Sequence, residues 1–195
     1  MLREIVVNLM HNLGGRAEVD RYLREYTGAG RYAVVKVGGG LIAEDLDELA
    51  SALVFLHHVG LTPVVVHGGG PQLTEELASK SIETEFVDGL RVTTTEVLSA
   101  AQRVFQRVGA ELADAIDGRG VRARPLPSGV FEAAATERSE LGHVGEVTGV
   151  LTDAIVRASE QGQLPVLSPV GTTADGKLLN INADTAARAL ALALN

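Results

Sequence analysis

Two apolar runs, Ala33 to Val37 and Pro63 to Val66, each run into three consecutive glycines, Gly38-Gly39-Gly40 and Gly68-Gly69-Gly70. Each is followed by apolar residues at helical spacing: Leu46, Leu49, Ala50, Leu53 and Leu56 after the first, Leu73 and Leu77 after the second. A short continuous apolar run reads as a strand buried on both faces, glycine stops it, and an amphipathic helix supplies the cover. The alternation continues. Thr93-Thr94-Thr95 offers an N-cap for a long helix with Leu98, Ala101, Val104, Phe105, Val108, Leu112 and Ile116 on one face. A helix from about Asp153 to Gln161 precedes a buried strand over Leu164 to Val170. Strands and helices in this order predict an α/β fold with a mostly parallel sheet covered by helices.

Other stretches are less regular. Gly118 to Gly149 has poor periodicity and reads as short strands or an excursion from the main sheet. Asp175-Gly176, between Thr172-Thr173 and Leu178-Leu179, predicts a two-residue hairpin. A last helix opens at about Ala183 and the sequence stops at Asn195 in mid-pattern. Residues 1–29 read as a separate helical segment for oligomerisation or regulation, with Leu2, Ile5, Val6, Leu9 and Leu13 on one stripe suited to a partner subunit or to its own core.

Composition narrows the function. No Cys among 195 residues excludes a disulfide scaffold, a thiol nucleophile and Cys-ligated metal. The histidines show no metal spacing, so no metal site is expected. A net charge of −8 without a basic block argues against nucleic-acid binding. No apolar run reaches the length of a membrane span, and the N-terminus does not read as a secretory signal, so a cytosolic protein handling small molecules is expected.

In parallel sheets ligands sit beyond the carboxyl ends of strands, where both glycine turns fall. Glycine backbone can approach an anion closely, and a following helix N-terminus adds a favourable dipole; the same glycines could also simply end strands. Neither turn has P-loop or dinucleotide-fold spacing. Lys36 interrupts the first strand just before its glycines, either facing a phosphate or carrying its head to water at the strand end. Arg91, in a loop before the long helix, could clamp a carboxylate or be a solvated surface residue. Asp184 could be a first-turn helix acid, and His67 could do no more than shape its glycine loop.

Taken together, Val35-Lys36-Val37-Gly38-Gly39, Val66-His67-Gly68-Gly69-Gly70-Pro71, Gly89-Leu90-Arg91-Val92-Thr93, Leu141-Gly142-His143-Val144-Gly145 and Asn180-Ile181-Asn182-Ala183-Asp184 resemble N-acetylglutamate kinase of the amino acid kinase superfamily. The resemblance runs in order over residues 31 to 195. It implies a three-layer αβα sandwich like that of carbamate kinase, with residues 30–195 as an N-acetylglutamate-binding lobe. The implied reaction is phosphorylation of the γ-carboxylate of N-acetyl-L-glutamate by ATP, with Mg2+ arriving on the nucleotide, in arginine biosynthesis.

Residue by residue, the resemblance implies that Lys36 neutralises the transferring phosphoryl group and that Asp184 organises catalytic lysines. The backbones of Gly38, Gly39, Gly68, Gly69 and Gly70 would hold the reacting groups, Arg91 the α-carboxylate and Asn180 the amino-acid part. The leading segment resembles that of bifunctional synthase/kinases or arginine-sensitive kinases, which implies a homo-oligomer through it. Family members continue into an ATP-binding lobe with a further lysine, and no lysine follows Asp184 here. The chain is therefore expected to be truncated before that lobe, inactive alone and prone to self-association. The alternatives are a non-catalytic regulatory or oligomerising domain of an N-acetylglutamate synthase and, more distantly, an aspartate or carbamate kinase.

Overall fold

The computed structural model describes residues 32–194. The helical segment expected over residues 1–29 lies outside them. Strand β1 (Tyr32–Val37) leads into α1 (Gly39–His58), and β2 (Thr62–His67) into α2 (Gly70–Ser79). A short hairpin follows, β3 (Phe86–Val87) and β4 (Leu90–Arg91), and then the long helix α3 (Thr95–Asp117). As expected, Thr94 caps α3, its hydroxyl accepting from the Val97 N–H at 3.3 Å.

The chain continues through β5 (Ala123–Leu126), β6 (Phe131–Ala135), β7 (Val144–Val150), α4 (Asp153–Glu160) and β8 (Leu164–Leu167). It ends with β9 (Val170–Thr172), β10 (Leu178–Ile181) and α5 (Ala183–Leu194).

The central sheet is all parallel in the order β1-β2-β8-β5, with β1 and β2 paired from Tyr32↔Thr62 to Val37↔His67. Successive valines of β2 point to opposite sides. Val65 packs with α1, α2 and α3 through Ile42, Leu53, Leu77, Val104 and Leu112, whereas Val64 and Val66 pack with Ile155 of α4 and Ala186 and Leu190 of α5. Two apolar cores on one sheet make the three-layer αβα sandwich. The irregular stretch splits: β5 joins the sheet, and β6 and β7 join β9 and β10 in a small closed ring, β10-β7-β6-β9.

Two local expectations are corrected. The run Leu164 to Val170 is two strands, because the chain leaves the sheet at Ser168-Pro169 and enters the ring at Val170. The turn at Asp175-Gly176 is not a two-residue hairpin. Strand pairing stops at Thr172↔Leu178, and the Thr173 N–H donates to Lys177 O at 2.8 Å around a three-residue loop. Gly176 takes φ 82° there, the left-handed position that such loops need.

Candidate functional site

Register brings the two glycine turns together. Val37 pairs with His67, and the Gly68 N–H donates to Val37 O at 2.7 Å. A Cβ on Gly39 would lie 3.0 Å from Gly69 Cα and 2.6 Å from Gln72 Oε1, while Gln72 Nε2 donates to Gly39 O at 2.7 Å. Gly39 is thus fixed by the close approach of one turn to the other. Gly69 is fixed by Phe105, whose ring carbon would lie 2.8 Å from an added Cβ.

Beyond the second turn is a cavity of about 210 Å³ lined by Gly68, Gly69, Gly70, Arg91, Asn180 and Asp184, with Phe86 and Pro169 among its walls. Two wider depressions, about 550 and 730 Å³, gather neither the glycine turns nor Arg91. Gly38 and Gly39 are not among the residues lining the small cavity, but they pack directly against the turn that does: a Cβ on Gly68 would lie 3.4 Å from Gly39 N. The first turn of α2 opens on it, where Pro71 has no N–H to spare and the free amides carry the positive end of the helix dipole.

Arg91 is buried, so its guanidinium was not a solvated surface group. Nη2 donates to Thr74 Oγ1 at 2.7 Å and to Gly70 O at 3.4 Å, and Cζ lies 4.5 Å from the centre of the Phe86 ring. Nη1 is buried with no hydrogen-bond partner, and no carboxylate among the described residues is within ion-pair distance. Burial lowers the guanidinium pKa from its ordinary value, yet arginine remains charged. A buried cation with an idle donor edge is costly, and a planar carboxylate presented to that edge would remove the cost.

Asn180 donates from Nδ2 to Thr93 Oγ1 at 3.1 Å, and that hydroxyl donates to Arg91 O at 2.9 Å. Thr93 is fully buried and ties the Asn180 side chain to the Arg91 backbone. Lys36 reaches across the end of β1, its Nζ 3.0 Å from Asp184 Oδ1, with about a third of its side chain exposed. The ammonium is therefore neither entombed nor idle: it stands at the strand end beside the glycine turns, paired with an acid that lines the cavity. Among the described residues Lys80 and Lys177 pair elsewhere, with Glu76 and Asp175.

The supporting roles of four residues escaped the sequence reading, which gave His67 no more than the shaping of its glycine loop. Asn182 caps α5, its Oδ1 accepting from the N–H groups of Asp184 and Thr185 at 2.8 and 3.1 Å, and so sets where Asp184 stands. An Asn directly before a helical run is a recognised N-cap signal. Thr93 and the buried pair His67 and Ser168 carry no such signal, because their partners come from distant segments. Among the described residues no group of three His, Asp or Glu could hold a metal, and no helix is long and apolar enough to cross a membrane.

Residues 31–195 match the model of the amino acid kinase family. The chain is 44% identical over 194 residues to "Protein arg11, mitochondrial" of Schizosaccharomyces pombe, covering 98% of this chain and 22% of that protein. It is 44% identical over 175 residues to acetylglutamate kinase of Xanthomonas campestris pv. campestris, covering 89% and 41% respectively. Among solved structures, N-acetylglutamate synthase from Neisseria gonorrhoeae, complexed with coenzyme A and L-arginine, superposes with a TM-score of 0.75 at 26% identity, covering 91% of this chain and 44% of that one. The chain thus spans less than half the length of these relatives. With the sheet, the paired glycine turns and their order along the sequence all in agreement, the chain belongs to the amino acid kinase family.

Proposed function

We propose that residues 30–195 form the acceptor-binding lobe of an acetylglutamate kinase, acting in arginine biosynthesis. The observation that carries this is Arg91: a buried guanidinium with an unpartnered Nη1, among the residues lining a cavity that the second glycine turn also lines. Arg91 would take the α-carboxylate of N-acetyl-L-glutamate, Asn180 its amino-acid portion, and the backbones of Gly68, Gly69 and Gly70 the γ-carboxylate and the phosphoryl group moving onto it.

A carboxylate acceptor is already ionised, so no general base is needed; positioning and charge neutralisation are the whole demand. Lys36, aligned by Asp184, and the amides of Gly38 and Gly39 would neutralise the transferred group. ATP with Mg2+ is the co-substrate on this reading, the metal carried by the nucleotide. Support comes from the 44% identity to an enzyme named acetylglutamate kinase.

Titration calorimetry of the chain with N-acetyl-L-glutamate, L-glutamate and L-aspartate tests the assignment. Binding of the acetylated acid in preference to the other two is expected; equal or absent binding refutes it. ADP release by the 195-residue polypeptide alone should stay near background, because Lys36 is the sole lysine among the described residues at the site. A regulatory or oligomerising role within an N-acetylglutamate synthase is the second reading, favoured by the likeness to the Neisseria structure. It gives no task to the Lys36–Asp184 pair, so a Lys36→Ala change that lowers phosphoryl transfer in the full-length protein decides for the kinase. Assembly through residues 1–29 belongs to either reading and is tested by the oligomeric mass before and after their removal. A cytosolic setting is our expectation for the chain, while the Schizosaccharomyces relative carries a mitochondrial designation in its name.

A further inference from the structure

We propose that His67 is a positioning residue: backed by Ser168, its ring holds the Gly68 carbonyl away from the cavity and so aims the Gly69 N–H into it, which rests on the acceptor-site assignment above. His67 ends β2, immediately before the second glycine turn, and is fully buried. Its Nδ1 lies 3.0 Å from Gly68 O, and its Nε2 lies 3.0 Å from Ser168 Oγ. A carbonyl only accepts, so Nδ1 carries the proton; Nε2 then accepts the Ser168 O–H. Burial lowers the imidazole pKa below its ordinary value, which keeps the ring neutral and preserves this tautomer.

The consequence for the turn is geometric. The peptide bonds are trans, and in a trans unit the C=O and N–H point in opposite directions. Gly69 N–H shares its unit with the Gly68 carbonyl. With the carbonyl fastened to a ring in the core, the N–H must face the other way, where Gly69 lines the cavity. That N–H has no partner among the described residues. The ring also has space kept for it: a Cβ on Gly109, in mid-α3, would lie 3.0 Å from His67 Nε2. Glycine inside a helix weakens it, and accommodating this imidazole is the reason for accepting that here. His67 touches neither substrate nor phosphate; it fixes a donor that does.

Nitrogen NMR of the 15N-histidine-labelled chain reads the tautomer directly. A proton on Nδ1 at neutral pH is expected, and an Nε2–H tautomer or an imidazolium would overturn the proposal. His67→Asn places a side-chain N–H near the Nδ1 position, whereas His67→Leu keeps bulk and removes the donor. N-acetyl-L-glutamate binding by calorimetry should weaken about tenfold in His67→Leu and stay within about threefold in His67→Asn. Undiminished binding by a folded His67→Leu sinks the inference. Should His67→Leu not fold, the tautomer and the His67→Asn titration still decide. If the wild-type chain binds no N-acetyl-L-glutamate, the acceptor assignment fails, and the tautomer together with the N–H orientation of Gly69 from residual dipolar couplings judges His67 alone.

Discussion

Arg91 is held by Thr74 and Gly70 at one nitrogen and by Phe86 across its plane, leaving Nη1 idle. A lysine there would lose the planar fork and the stacking while keeping the charge. On the acceptor-lobe reading proposed above, Arg91→Lys should therefore weaken N-acetyl-L-glutamate binding by about tenfold or more, and leave the thermal midpoint little changed, which calorimetry and a melting curve check. His67 makes a second prediction. Its folded-state pKa lies below 6.5, so the unfolded chain binds the proton more readily as pH falls. The stability it contributes is present above pH 6.5 and is lost as pH drops through the lower folded value; His57, also lowered by burial, acts in the same direction. Urea midpoints should fall between pH 7.5 and 5, and His67→Asn should flatten that dependence.

Helix starts carry much of the site. Asn182→Ala removes the cap of α5 and should cost about 1 kcal/mol in urea unfolding, with Asp184 losing its fixed place beside Lys36. By contrast, the exposed Lys36–Asp184 pair adds little to stability. Asp184→Asn should leave the unfolding midpoint nearly unchanged and, on the kinase reading proposed above, impair phosphoryl transfer in the full-length protein.

What could be read from sequence at this scale was whatever local pattern decides: glycine-terminated strands, the Thr94 cap and the helix faces. The break at Ser168-Pro169 was not readable, since apolar residues continue across it and only the ring's pairing splits the run. Likewise the turn glycines announced a close approach without saying to what. Gly39 meets Gln72 and the other turn, and Gly69 meets Phe105. Of the residues lining the cavity, the second glycine turn and Arg91 stood out by their chemistry, Arg91 with a surface role equally open, and Asn180 only through the family resemblance, while Thr93, Ser168 and Gly109 act across distant contacts that no spacing encodes.

The sheet couples both layers into one unit. Leu112 on α3 and Leu190 on α5 are each fully buried, in different cores either side of the same strands. Truncating either to Ala should cost about 2–5 kcal/mol, and each variant should still unfold in a single transition by circular dichroism and fluorescence alike, because neither layer can keep β2 covered without the other.

The ring β10-β7-β6-β9 leaves none of its strands with a free side. Such a closed circuit cannot fray from a border, so its amides become accessible to deuterium only when the whole circuit opens. The Asn180 N–H, donated to His143 O, and the Ile181 N–H, donated to Pro169 O, extend that pairing by one residue, to the positions just before β7 and β9. The stretch bearing Asn180 is thus clamped by a hoop of backbone, and its protons should rank among the slowest to swap with solvent.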